Sequence, residues 1–198
     1  MARSNRGRRP AASAAVPAAT VPGAAHTAPE SSPALPRVSE GVEYRPLGDL
    51  APAQQLFSFA AAAIPPAADV HLAWGAWLPG EQRLVGALLM EREGPSAMLY
   101  GPVVVATVDG EREIASLDVA AQLVTGAIEE SAARGVQTLF ARPQGLDRIW
   151  IRYGFIPIPE GALPSALRRG PGAGLFAYRG GSALWTFRET ASGARLAR

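Results

Sequence analysis

The stretch from Ala120 to Pro159 constrains the fold more tightly than any other part of this chain, because its element boundaries are written in its residues. An amphipathic run ends at Gly135, the residue type that closes a helix in the left-handed conformation. Val136–Ala141 is an apolar run of strand length. Leu146, Ile149, Trp150 and Tyr153 then fall at i, i+3, i+4 and i+7, one face of a helix, with Gly154 placed to end it. Phe155–Pro159 follows as a strand whose prolines, Pro157 and Pro159, share one parity. Their missing N–H groups face one way, which fits a sheet edge and not its centre.

Upstream, Val42–Pro46 has strand character, and Asp49 and Pro52 stand where a helix begins. Leu56, Phe57, Ala60, Ala63 and Ile64 keep helical spacing until Pro65-Pro66. Three strands come next: Val70–Leu78 with alternating apolar residues, the continuously apolar Leu84–Met90, and Ala97–Ala106. Gly101-Pro102 inside the third would break the ladder locally and predicts a bulge or a splay. Thr107–Ser116 is polar and leads into a helix over Leu117–Arg134. Its apolar side carries Leu117, Ala121, Val124, Ala127 and Ile128, and Glu129, Glu130 and Arg134 are assigned to the opposite side. Gly161–Gly181 is glycine-rich with a short helical patch at Pro164–Arg168, and Ala183–Glu189 is a last strand. Meandering strands followed by crossover units make a mixed, mostly antiparallel α/β sheet flanked by helices.

Met1–Pro36 is unlike the rest: Ala, Pro, Ser and Arg with no aromatic residue, too poor in large apolar groups to offset the entropy of ordering. The division expected is therefore a disordered tail over 1–40, a folded domain over 41–190 and a flexible end over 191–198. Four arginines against Glu30 give those first 36 residues a charge of +3, leaving 15 arginines against 16 acids, or −1, in the remainder. So small a basic arm does not call for nucleic acid, and a solvated arm is the expectation. The chain has no lysine and no cysteine, which excludes a Schiff-base lysine, a thiolate nucleophile, a disulfide and Cys-ligated zinc. Two histidines, one of them His26 in the tail, leave no multi-histidine metal site. No stretch is long and apolar enough to span a bilayer, so a cytoplasmic protein without membrane partners is expected.

The order of elements, the sequence R-Y-G-F-x-P-I, Gly154-Phe155 after the last helix and the Ala133-Arg134-Gly135-Val136 transition resemble the GCN5-related N-acetyltransferases over residues 42–189. The resemblance implies a splayed strand pair, acetyl-CoA as acyl donor, and an amine acceptor, small-molecule or protein, that attacks the thioester directly. It places main chain at Val103, Val104 and Val105 along the pantetheine arm, and the pyrophosphate at the start of the helix near Ser116, where free N–H groups favour anions.

Two positions depart from the pattern of that family. Its phosphate loop normally carries closely spaced glycines, but here Asp109, Glu111, Glu113 and Asp118 against Arg112 give that segment −3. A carboxylate about 6 Å from a phosphate repels it by about 1 kcal/mol even when well solvated. The usual general-acid tyrosine, four residues before the glycine of Gly-Phe, is Trp150, with Tyr153 nearly a turn later as a substitute. A packed core aromatic is the other reading of Tyr153.

From the residues themselves, Glu91 or Glu93, at the end of a strand, is placed to deprotonate an amine directly or through water, and both also read as ordinary strand-end charges. Arg142 and Arg148 read as anion contacts or as solvated charges, and His71 as a hydrogen-bonded structural histidine. The alternative to an enzyme is the same fold as a non-catalytic binding or interaction domain.

Overall fold

The computed structural model describes residues 37–78, 80, 83–105, 107–109, 112–142, 146–173 and 184–188, with backbone alone at 107–109, 112–114, 147 and 184–188. Met1–Pro36 and 191–198 lie outside the described residues. The chain divides into Met1–Glu30 and Ser31–Arg198, and every element described belongs to the second unit.

Ten strands and four α-helices are described: β1 (Arg37–Ser39), β2 (Val42–Pro46), α1 (Ala51–Phe59), β3 (Val70–Leu78), β4 (Arg83–Glu93), β5 (Ser96–Val104), β6 (Thr107–Asp109), β7 (Arg112–Ile114), α2 (Ser116–Ala133), β8 (Thr138–Arg142), α3 (Asp147–Arg152), β9 (Ile156–Ile158), α4 (Ser165–Arg168) and β10 (Leu184–Arg188). Eight strands form one sheet in the order β1-β2-β3-β4-β5-β8-β10-β9. Every pairing in it is antiparallel except β5 with β8. β9 lies at the edge, where its prolines predict it. β1 joins the opposite edge at Arg37–Ser39, ahead of residue 41 where the composition places the domain's start.

Side chains alternate between two apolar layers. Leu72, Trp74, Ala76, Leu88, Met90 and Leu99 pack with α2 and α3 on one face. Ala73, Ala87, Leu89, Met98, Tyr100 and Phe140 pack with α1 and α4 on the other. Val70 joins the second set because a bulge at His71 shifts the register between Val70 and Leu72. The His71 ring nitrogen Nδ1 lies 2.8 Å from the Asp69 carbonyl oxygen, so this side chain is hydrogen-bonded.

Three helices end in the same way. After α2, Gly135 takes φ +75° and its N–H donates to Ala132 O, while Val136 N–H donates to Ser131 O. After α3, Gly154 takes φ +78°, with Gly154 donating to Ile151 O and Phe155 to Trp150 O. This is the Schellman arrangement, and its usual apolar contact is Phe155 edge-on to Trp150 with centroids 4.8 Å apart. The Gly-Phe pair thus has a local cause. α1 ends similarly on Ala61 at φ +50°, short of Ala63 and Ile64, so the helical spacing of those two residues is not used in a helix. Asp49 accepts from Ala51 N–H at 3.0 Å, but the N-cap position itself is Leu50.

Two side-chain assignments on α2 are corrected. Leu117 is 49% exposed, whereas Glu130, assigned outward, is 3% exposed and accepts from Arg134 Nε at 2.8 Å. The arc against the sheet runs through Ala120, Leu123, Val124, Ala127 and Ser131, and Glu130 sits on its margin, where Arg134 one turn later neutralises it.

Candidate functional site at the end of the parallel pair

Among the described residues β5 and β8 pair in parallel from Ser96↔Thr138 to Tyr100↔Arg142. β5 continues through Gly101–Val104 along β4. Gly101 and Pro102 stand opposite the single residue Leu88, the bulge predicted from the sequence. Gly101 has φ +94°, and a Cβ there would lie 2.9 Å from Val103 N and 3.0 Å from Ala87 O, so glycine is required.

Beyond the bulge, Val105 N–H donates to Val85 O at 2.9 Å. In an antiparallel ladder such pairs alternate, so Val103 also faces β4 while the N–H and C=O of Val104 turn to the opposite edge. Of the three valines, Val104 is thus the residue whose main-chain groups face the side that no strand among the described residues pairs. Leu139–Ala141 pair with Ala97–Leu99 and lie below this level.

α2 begins at Ser116, with Ala115 extended at the N-cap and no side chain capping it; Asp118 lies in the first turn. The polar segment ahead of it is not a plain loop. Thr107↔Ile114, Val108↔Glu113 and Asp109↔Arg112 pair as a separate two-stranded hairpin, β6 and β7.

On the α1/α4 face, three polar side chains line a diagonal across β4, β5 and β8. Glu91 stands opposite Met98, so Tyr100 is its neighbour two residues along on the same face. The Tyr100 hydroxyl donates to Glu91 Oε2 at 2.8 Å. Burial and the Glu91 carboxylate push this phenol well above its ordinary range, with Arg142 pulling it back in part. Glu93 lies opposite Ser96 at the hairpin turn, at the far end of β4 from the bulge.

Arg142 is 3% exposed. Its Nη1 donates to the carbonyls of Gly170 (2.9 Å) and Pro171 (2.6 Å), and its Nη2 to those of Leu167 (3.1 Å) and Arg168 (3.3 Å). Glu160 Oε1 lies 3.9 Å from Nη2. Neither an anion contact nor a solvated charge describes this residue; it ties α4 and the turn after it to the sheet. Arg148 is exposed on α3.

Tyr153 is half-buried, and its hydroxyl donates to Ala121 O at 2.9 Å and lies 2.6 Å from Thr125 Oγ1, joining α3 to α2. Trp150 is fully buried, and its indole N–H has no partner among the described residues. Tyr100 and the Arg142 clamp escape a reading of the sequence, although the turn at Gly94-Pro95 fixes the hairpin register that brings residues 91 and 100 together.

Comparison of the sequence with protein-family profiles and with curated proteins finds no match. Solved structures do match. N-acetylglutamate synthase from Neisseria gonorrhoeae, solved with coenzyme A and N-acetyl-glutamate, aligns over 74% of this chain with a TM-score of 0.52 and 13% identity. The fold is that of the N-acetyltransferases. A second structure, the ribosomal-protein-S5-alanine acetyltransferase from Vibrio fischeri, aligns over 80% of this chain and 98% of its own, with a TM-score of 0.50 and 10% identity. This chain spans 35% of the length of the synthase. Among the described residues no helix is long and apolar enough to cross a membrane.

Proposed function

We propose that this domain is an acetyl-CoA-dependent N-acyltransferase that moves an acetyl group to an amine. The observation that supports the reading is that, among the described residues, the β5/β8 pairing runs to Tyr100↔Arg142 and leaves the Val104 N–H and C=O without a partner strand inside an acetyltransferase fold. An elongated amide-bearing arm is the ligand such an edge fits, because it restores the hydrogen bonds a neighbouring strand would make. The bound donor supplies the activated acyl group. The Val104 N–H is aimed at the charge that develops on the acyl oxygen. The N-terminus of α2 at Ser116 receives the pyrophosphate, against opposition from the acidic segment before it.

Glu91 is the residue we assign to take the proton from the attacking amine, directly or through water, as the N–C bond forms and the C–S bond breaks. The proton then returns to the departing thiolate. Tyr153 is the weaker candidate for that last step, since its hydroxyl is committed to Ala121 and Thr125. The acceptor is an amine of a small molecule or of a protein.

Calorimetry with acetyl-CoA tests the donor site. Val104→Pro removes the N–H that faces the open edge and spares the ladder with β4, where proline is tolerated. Losing one such hydrogen bond is worth about 1.5 kcal/mol, or about tenfold in Kd. Val104→Ala keeps the N–H and is expected to bind as the unaltered protein does. Absence of binding at millimolar acetyl-CoA, or equal affinities for the proline and alanine variants, would refute the assignment.

A further inference from the structure

The contact between Glu91 and Tyr100 is closed from above by Gly170. A Cβ built on Gly170 would lie 2.5 Å from the Tyr100 hydroxyl oxygen and 3.5 Å from Glu91 Oε2. The carbonyls around this glycine are in turn held by Arg142, the register partner of Tyr100. The phenol is therefore fixed on three sides: its ring is fully buried in the α1/α4 layer, its oxygen is bonded to Glu91, and the backbone at 170 lies against it. Tyr100 is also the last residue of β5 before the bulge and of the described pairing with β8, and its hydroxyl reaches back to Glu91, which stands opposite Met98.

The charged groups acting on the phenol are Glu91 on β4, Arg142 on β8 and Asp69 before β3. Burial and the Glu91 carboxylate outweigh Arg142, so the phenol keeps its proton and acts as a donor. Its bond occupies one carboxylate oxygen, Oε2, and Oε1 has no partner among the described residues.

We propose that Tyr100 is a positioning residue for acyl transfer, holding the Glu91 carboxylate in the orientation that removes a proton from the acceptor amine, and that the absent side chain at Gly170 leaves the hydroxyl room to do so. The proposal rests on the reading of Glu91 as the base. A base acts from within hydrogen-bond reach of the proton, and displacements of about 1 Å are enough to reduce rates about a hundredfold. Gly170→Ala forces a displacement of that size, since the hydroxyl has to move from 2.5 Å to ordinary contact with the new methyl.

The experiment measures release of the CoA thiol from acetyl-CoA with n-butylamine, spermidine and an unblocked tripeptide as acceptor probes, and the Kd of acetyl-CoA by calorimetry. Tyr100→Phe keeps the buried ring and deletes the bond. It is expected to lower kcat about tenfold or more, with KM and the acetyl-CoA Kd unchanged. Gly170→Ala is expected to do the same through displacement. Glu91→Gln loses about a hundredfold, and Tyr100→Phe added to it costs nothing further, because the two act as one unit.

Full kcat in Tyr100→Phe, or losses that multiply in the double variant, would overturn the proposal. So would acetyl-CoA binding by the unaltered protein without thiol release for any probe, an outcome that leaves the donor site standing. Failure to bind acetyl-CoA at all would instead remove the donor reading.

Discussion

Replacing Arg142 with methionine isolates what the buried guanidinium does for the segment above it. The arginine makes four hydrogen bonds to main-chain carbonyls between Leu167 and Pro171. A typical intramolecular hydrogen bond contributes about 1 kcal/mol net, so four give about 4 kcal/mol. Taking the cation out of water opposes this, and methionine, which fills the same channel without that cost, brings the expected loss to about 2–3 kcal/mol. For a domain near 150 residues that lowers Tm by about 5–10 °C.

The loss is also expected to be local. Leu167 is buried, but Arg168 is exposed and Gly170 and Pro171 are half-buried, so most of the freed carbonyls can turn to water if the segment lifts. Hydrogen exchange reads this directly. The amides of Arg168 and Ala173, bonded to Pro164 O and Gly170 O, should lose protection well beyond those of β3 and β4. Arg142→Lys keeps the charge but not the planar fork and should recover less than half. A loss below about 0.5 kcal/mol, or protection lost evenly across the sheet, would refute the clamp.

Two further perturbations reach other parts of the molecule. Burial, with Glu40 and Asp118 nearby, pushes the Tyr44 phenol from 10.0 up to about 12, so the folded state resists an ionisation the unfolded chain accepts. Stability from this group is complete below pH 10 and is lost as pH rises from 10 to about 12, by about 2–3 kcal/mol. Without lysine in the chain the tyrosines dominate this window, and Tyr44→Phe should flatten the fall of the urea midpoint; an unchanged slope refutes it. Replacing both Glu111 and Glu113 with arginine should tighten acetyl-CoA binding about tenfold if these acids oppose the pyrophosphate, and calorimetry showing no change would place them away from it.

The range of the forces involved decides which features the residues disclose and which they hide. Gly154-Phe155, Gly135 and the prolines of β9 act within a few residues, through left-handed caps and missing N–H groups, so the helix ends and the edge strand are legible directly. The bulge at Gly101-Pro102 is legible for the same reason. The end of α1 is not: Ala61 takes a left-handed φ that no alanine announces.

Glu130 reads as an outward charge because its cover depends on where the helix meets the sheet. The hairpin of β6 and β7 carries a usable signal in Asp109-Gly110 between β-prone residues, masked by the acidic charges around it. The Glu91–Tyr100 pair and the Arg142 clamp depend on strand register and on contacts some thirty residues apart, which spacing alone does not express.

The position of β10 between β8 and β9 has a consequence for assembly. β9 precedes β10 in the chain, yet it touches the sheet through β10, with Leu184↔Ile158, Trp185↔Pro157 and Thr186↔Ile156. During synthesis β9 therefore waits without a ladder until residues 184–188 emerge and slot in from the side. A stop codon anywhere between 159 and 184 would forfeit two strands at once and lay bare the far margin of β8.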